Sequence, residues 1–281
     1  MTMTTETLIH KRYLPFTWSQ LGEHFAPVKG AESAAWLEAQ FGHYRKSATL
    51  YAALCGEGEP LDLPIHKVKA QAQIEKDERF WVAATLMAFY HHPERQQMLM
   101  MLLRHALGDA PQWDGPSTWE ASFTDTTKLY FEANLPSPSA YRSALKRDVG
   151  AAHLIPYVLR AAKVTANLEG PTHVDALLLD PTTGCNVLFE AKVLSDCSYQ
   201  VSFDAVRNQL ARNIDAMLEP AAPAGPLSGR RPERSAFVLL TPQLFKDRPR
   251  PRLYGFLMRD YWDHPDSTPL PLRRRWQLTR R

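Results

Sequence analysis

HVDALLLDPTTGCNVLFEAK, His173 to Lys192, is the stretch whose reading decides the fold. It reads as two apolar strands, roughly 173–180 and 185–193, joined by the turn Pro181-Thr182-Thr183-Gly184. Ala176 to Leu179 and Val187 to Phe189 are near-continuous apolar runs, which argues for strands covered on both faces. Charged side chains stand where such strands normally carry none: Asp175 in the first, Glu190 and Lys192 in the second. Side chains alternate between faces, so Glu190 and Lys192 share one, and the small Ala191 between them turns into the core. A hairpin places Asp175 across from Glu190. Buried charges are costly unless they bind something, and two carboxylates at that separation suit a hard divalent cation such as Mg²⁺. The competing reading is an exposed edge strand in which Glu-X-Lys serves solubility.

The sequence on either side extends an α/β pattern. Ser137-Pro138 has the form of an N-cap followed by proline in the first turn, opening a helix from Ser139 toward Lys163. Tyr141, Leu145 and Val149 form its stripe, and Pro156 kinks or divides it. After the hairpin come a helix over Phe203–Leu218, a Pro/Gly-rich loop over Pro220–Gly229, a strand over Ser235–Thr241 and a further strand over Leu253–Leu257. One more strand is expected near 198–203 or 165–170.

Asp, a hairpin turn and then Glu-X-Lys in an apolar strand resembles the PD-(D/E)XK nuclease superfamily, the restriction-endonuclease-like fold. Asp175 matches the lone aspartate and Glu190-Ala191-Lys192 the second half-motif, fifteen residues on, a spacing typical of that superfamily. Val174 stands where many members have proline. The resemblance covers roughly residues 137–260 and is silent on 1–130. It implies an α/β fold with a mixed sheet flanked by helices, and a nuclease that hydrolyses phosphodiester bonds in nucleic acid, in defence or repair; DNA is favoured over RNA as the substrate, and the sequence does not decide between them. It implies Mg²⁺ (or Mn²⁺) held by Asp175, Glu190 and the Ala191 carbonyl, with Lys192 orienting water or stabilising charge. A further acid on the preceding helix would be Asp148, with Glu132 a weaker choice; a solvated surface position beside Lys146 and Arg147 is the alternative for Asp148. Gln209 would touch the metal water or the phosphate, and Arg207 and Arg212 the nucleic-acid backbone, unless these arginines are only surface residues. Some exonuclease branches carry Tyr four residues after that Gln; here it is Asn213, so no exonuclease is assigned. The alternative function is a non-catalytic nucleic-acid-binding or assembly protein on the same fold; a second alternative is a helical interaction scaffold in which the motif is accidental.

Residues 1–136 read as a mostly helical N-terminal region, and 137–281 as the nuclease-like domain. Helices are expected over Ala31–Cys55, Phe80–Tyr90 and Glu94–Leu107, the last closed by Gly108. Residues 109–136, rich in Trp, Asp, Thr and Pro, read as a long connection with at most one short element. The Met98, Met100, Met101 cluster reads as core filler. Adjacent His91 and His92 have poor metal-ligand spacing and read as a helix end. Trp36, Phe41, Tyr44, Phe80, Trp81, Phe89 and Tyr90 exceed what a small helical region needs for its own core. They pack internally or partly against a second copy, a homodimer being what double-strand cleavage requires.

Composition bounds the rest. The chain has 281 residues, 44% apolar and 22% charged, as a globular protein does. Three cysteines without a CxxC pair fit a reducing, cytoplasmic setting and give neither a disulfide framework nor a zinc knuckle. No signal-peptide h-region and no apolar run long enough for a membrane span are expected. The net charge of +3 is uneven: residues 226–281 hold thirteen Lys/Arg against five Asp/Glu, a local +8 suited to a polyanion or simply a solvated tail. Phosphate-loop, dinucleotide, zinc-protease and serine-elbow motifs are absent. Neither Cys185 nor Cys197 has a histidine base nearby, and His173 reads as a structural residue at a strand start.

Overall fold

The 173–192 stretch folds as two antiparallel strands in a computed structural model that describes residues 8–9, 14–25, 44, 46–53, 55–56, 75–150, 169–198, 208–222, 224–248 and 253–263. Among these residues the sheet has four strands: β1 (Lys128–Leu135), β2 (Thr172–Leu179), β3 (Asn186–Ala191) and β4 (Ser235–Leu240). The spatial order is β1-β2-β3-β4; the first two pairings are antiparallel and β4 runs parallel to β3. The sheet is therefore mixed, and the chain crosses from β3 to β4 through a helix, α6 (Gln209–Leu218). Further helices include α1 (Trp18–Glu23), α2 (Glu78–Tyr90), α3 (Arg95–Leu107), the short α4 (Trp119–Ser122), α5 (Ser139–Gly150), α7 (Gln243–Asp247) and α8 (Leu253–Asp263), and 46–53 are helical as well.

Every residue of β3 is buried, as the apolar run Val187–Phe189 predicts. Val187, Phe189 and Ala191 pack with Phe80, Leu86, Met87 and Leu103 of α2 and α3 on one face. Leu188 packs with Leu210, Ala211 and Ile214 of α6 on the other. The sheet is thus a middle layer between N-terminal helices and the crossover helix, the arrangement that lets each helix bury its stripe. The aromatic excess of the N-terminal half goes into this layer: Tyr44 and Phe80 are buried, and Trp81, Phe89 and Tyr90 pack against the same cluster. Trp36 and Phe41 lie outside the described residues.

The hairpin turn is built on Asp180. Its Oδ1 accepts from the backbone N–H of Thr182 and Thr183, at 2.9 and 3.0 Å. Its Oδ2 accepts from the N–H and hydroxyl of Thr124 and from the hydroxyls of Thr126 and Thr127. These bonds hold Asp180 ionised: burial raises its pKa, but the donors, led by the Thr124 hydroxyl, bring it below the ordinary carboxylate value. One buried carboxylate thereby ties the β2–β3 turn to the segment that leads into β1.

Several elements differ from the sequence expectations or lie partly outside the described residues. Residues 109–136 contain a full strand, β1; of the ranges 198–203 and 165–170, where one more strand is expected, 199–203 and 165–168 lie outside the described residues. The division at 136/137 consequently falls between β1 and the rest of its sheet. Leu253–Leu257 is helical, the start of α8: Asp196 accepts from the N–H groups of Leu253 and Tyr254 and caps the helix from a distant segment. A short apolar run without context does not separate strand from helix. The helix expected from Phe203 begins at Gln209, because Asn208 is extended and its side chain accepts from Ala211 N–H as an N-cap; 203–207 are outside the described residues. The helix expected to run from Ser139 toward Lys163 is described as far as Gly150. Among the described residues no helix is long and apolar enough to cross a membrane.

Candidate active site

β2 and β3 pair Ala176 with Phe189, so the next step of the ladder sets Asp175 opposite Glu190, as the hairpin reading expects. Asp175 Oδ2 accepts from the Ala191 N–H at 2.7 Å. Its carboxylate is only half-buried, whereas Glu190 and Lys192 are buried. Lys192 Nζ donates to Glu190 Oε1 and to the Ala191 carbonyl, each at 2.8 Å. Gln209 Nε2 donates to the same Glu190 Oε1 at 2.6 Å, and Asn213 Nδ2 to Glu190 Oε2 at 2.8 Å. The structure thus brings together Asp175, Glu190, Ala191, Lys192 and Gln209 from the sequence-derived set.

Two residues join them that sequence reasoning did not place there. Asn213, noted only as a departure from a pattern, lies four residues after Gln209 and so on the same face of α6. Its Oδ1 accepts from the Thr172 hydroxyl at 3.2 Å, which fixes the amide with its N–H₂ toward Glu190. Glu78, the first residue of α2, has its Oε2 3.4 Å from Lys192 Nζ, while its Oε1 accepts from Val193 N–H at 3.2 Å and from the Ser195 hydroxyl. Nothing in the sequence points to Glu78, which is more than a hundred residues from Lys192 along the chain. Beside it, Arg79 Nε is 3.0 Å from Glu132 Oε1. Glu132 is on β1, not on a helix, and is the only described non-glycine residue with a positive φ, 53°. The side-chain alternation slips there: Tyr130 and Ala133 of β1, and Val174 and Leu177 of β2, all face the α6 side. Strained backbone directly across from Asp175 is a kind of feature that concentrates at functional sites.

Asp148 is on α5, but its side chain is outside the described part, as is Arg207 altogether. Arg212 donates to the carbonyls of Gly170 and Pro171, at 3.3 and 3.0 Å, and its Nε is 3.8 Å from Glu169. His173 is exposed at the start of β2.

The electrostatics of the cluster are unbalanced. Burial and the charge of Asp175 push Glu190 up to about 7, against the pull of Lys192 and Asn213. Burial also raises Asp175, offset in part by the Ala191 N–H and Lys192. Lys192 is disfavoured as a cation by its burial, but Glu190, Glu78 and Asp175 outweigh this and hold it protonated. Three carboxylates thus share one ammonium. The oxygens available to a metal ion are those of Asp175 and Glu190 and the Ala191 carbonyl, hard donors of the kind Mg²⁺ and Mn²⁺ take. The ammonium already sits as a cation on two of them, and the repulsion between Asp175 and Glu190 is what a dication would relieve, so the donor set fits such an ion. Among the described residues no group of three or more His, Cys, Asp or Glu side chains is arranged to hold a metal.

Comparisons with protein-family models, with curated proteins and with solved structures returned no match to the chain.

Proposed function

We propose that this chain is a metal-dependent nuclease of restriction-endonuclease-like fold that hydrolyses phosphodiester bonds in nucleic acid, with DNA favoured over RNA. The observation that carries the reading is the buried Glu190–Lys192 pair facing Asp175 across the β2–β3 hairpin. The strand order supports it: an antiparallel run β1-β2-β3 carries the aspartate on its middle strand and Glu-X-Lys on its third, and a helical crossover leads to the parallel β4.

Asp175, Glu190 and the Ala191 carbonyl would hold the ion. Bound there, Mg²⁺ or Mn²⁺ supplies Lewis-acid polarisation of a phosphate oxygen and a lowered pKa for a coordinated water. The chain's own residues do the rest. Gln209 and Asn213 fix the Glu190 carboxylate in one orientation, so that it needs no reorganisation during the reaction. Lys192 presents a compact positive charge toward the charge that builds on phosphorus. Asp175, the most open of the three, marks the side from which substrate approaches. Arg230 and Arg234 donate to backbone carbonyls of Met217, Glu219, Asp114 and Thr183; the other basic residues after Pro226 would hold the polyanion through phosphate contacts that carry no sequence information.

One observation favours a second reading, a nucleic-acid-binding protein that does not cut: both Glu190 oxygens are already satisfied by protein donors. Labelled single- and double-stranded DNA and RNA, incubated with and without Mn²⁺, separate the two. Cleavage of DNA that appears with Mn²⁺ and stops on chelation is expected. Retention of nucleic acid with no cleavage under any ion would establish the second reading.

A further inference from the structure

The Lys192 ammonium occupies the two atoms, Glu190 Oε1 and the Ala191 carbonyl oxygen, that a divalent ion would take. Two cations do not share that space, so an ion entering the site has to displace the ammonium. A buried lysine with no other anion in reach would then be left uncompensated, and that would oppose ion binding strongly. The structure provides another anion. Glu78 Oε2 is already 3.4 Å from Lys192 Nζ, at the long edge of a hydrogen bond, and a small rotation about the flexible lysine stem closes the gap. Glu78 is itself held ready. Its other oxygen accepts from Val193 N–H and from the Ser195 hydroxyl, so the carboxylate is fixed while Oε2 remains directed at Lys192. It projects from the first turn of α2, whose N-cap Asp77 accepts from Phe80 N–H.

We infer that Glu78 is the positioning residue that takes over Lys192 when a divalent ion occupies Glu190 and the Ala191 carbonyl, making the N-terminal helical layer part of the working site. This rests on the metal-dependent reading above. Lys192 then has two stations, on Glu190 without the ion and on Glu78 with it, and in the second its charge stays next to the ion rather than in its place. Glu78 acts through Lys192 and not as a ligand, which distinguishes it from Asp175 and Glu190.

The test is a double-mutant cycle read by Mn²⁺ binding, with free Mn²⁺ followed by electron paramagnetic resonance. Glu78→Gln keeps an oxygen for Val193 N–H and Ser195 but removes the charge. It should weaken Mn²⁺ binding about tenfold in the wild-type background and leave it unchanged in a Lys192→Met background, where there is no ammonium to receive. An equal loss in both backgrounds would make Glu78 a ligand or a general field, and no loss in either would make it a bystander; each overturns the inference while leaving the metal site standing. Failure of the wild type to bind Mn²⁺ at all would instead overturn the metal reading and this inference with it. Should Lys192→Met not fold, the Val193 amide resonance of the wild type serves. Its shift on Mg²⁺ addition should be larger in the wild type than in Glu78→Gln, because Lys192 closes on the carboxylate that accepts from it, and equal shifts contradict the handover.

Discussion

Lys192 is the residue on which the site's charge balance turns. It neutralises carboxylates that otherwise face one another in the interior, and removing one member of a buried charged set leaves the others uncompensated. Lys192→Ala should therefore lower stability in the absence of metal by about 3–5 kcal/mol, read as a shifted urea midpoint. Asp175→Asn should move the midpoint the other way or leave it in place, because it removes a repulsion and keeps an oxygen for Ala191 N–H. A stability loss for Asp175→Asn as large as for Lys192→Ala would contradict this balance. Asp175, Glu190 and Lys192 were legible in the sequence because charges inside apolar strands are conspicuous and the two-residue period fixes their faces. Asn213 was within reach of the same logic, one helical turn past Gln209. Glu78 was not, since only tertiary packing brings the start of α2 to the end of β3.

Among the elements, the β2–β3 hairpin was read closely, with β3 ending at Ala191 rather than 193. Its turn needs Gly184: φ is +75°, and a Cβ there would collide with the Arg231 side chain and lie 3.0 Å from the Gly229 carbonyl. Gly184→Ala should cost roughly 1–3 kcal/mol, measured by chemical denaturation; an unchanged midpoint would show that the turn relaxes freely. β1 escaped notice because Lys128, Glu132 and Asn134 interrupt its apolar pattern and the bend at Glu132 shifts the alternation, so no period of two survives along it. The start of α8 reads as a strand in the sequence because its N-terminal cap comes from Asp196, more than fifty residues earlier, and leaves no local capping signal.

For the whole molecule, the N-terminal half is structural material of the sheet. β1 belongs to the sheet, and α2 and α3 cover one of its faces. A fragment of residues 137–281 would expose that face and should remain unfolded by circular dichroism; a cooperative melt from it would show the sheet to be self-sufficient. The joint has a pH limit. His24 Nδ1 lies 2.9 Å from the Leu129 carbonyl and so carries the proton, leaving Nε2 to accept from His91 Nε2 at 2.8 Å, while the Gln20 amide donates to His91 Nδ1 at 3.1 Å. Burial, with His91 beside it, pushes His24 down to about 4, against the pull of the Leu129 carbonyl. The folded state holds His24 neutral where the unfolded chain takes up a proton near the ordinary value of about 6.5. Stability is thus fully present above about 6.5 and falls as the pH drops toward 4, by at most about 1.4 kcal/mol per pH unit. Midpoints across this range should slope less for His24→Phe than for the wild type; parallel slopes would remove His24 from the joint.

If Asp175, Glu190 and Lys192 form one metal-dependent catalytic centre, cleavage of labelled DNA in Mn²⁺ by Lys192→Ala, measured beside the wild type, reveals it. Loss of the charge that meets the transition state should reduce the rate by about a hundredfold or more, with folding verified by circular dichroism and Mn²⁺ binding retained. Cleavage by Lys192→Ala at the wild-type rate would show that the three residues are not one catalytic centre.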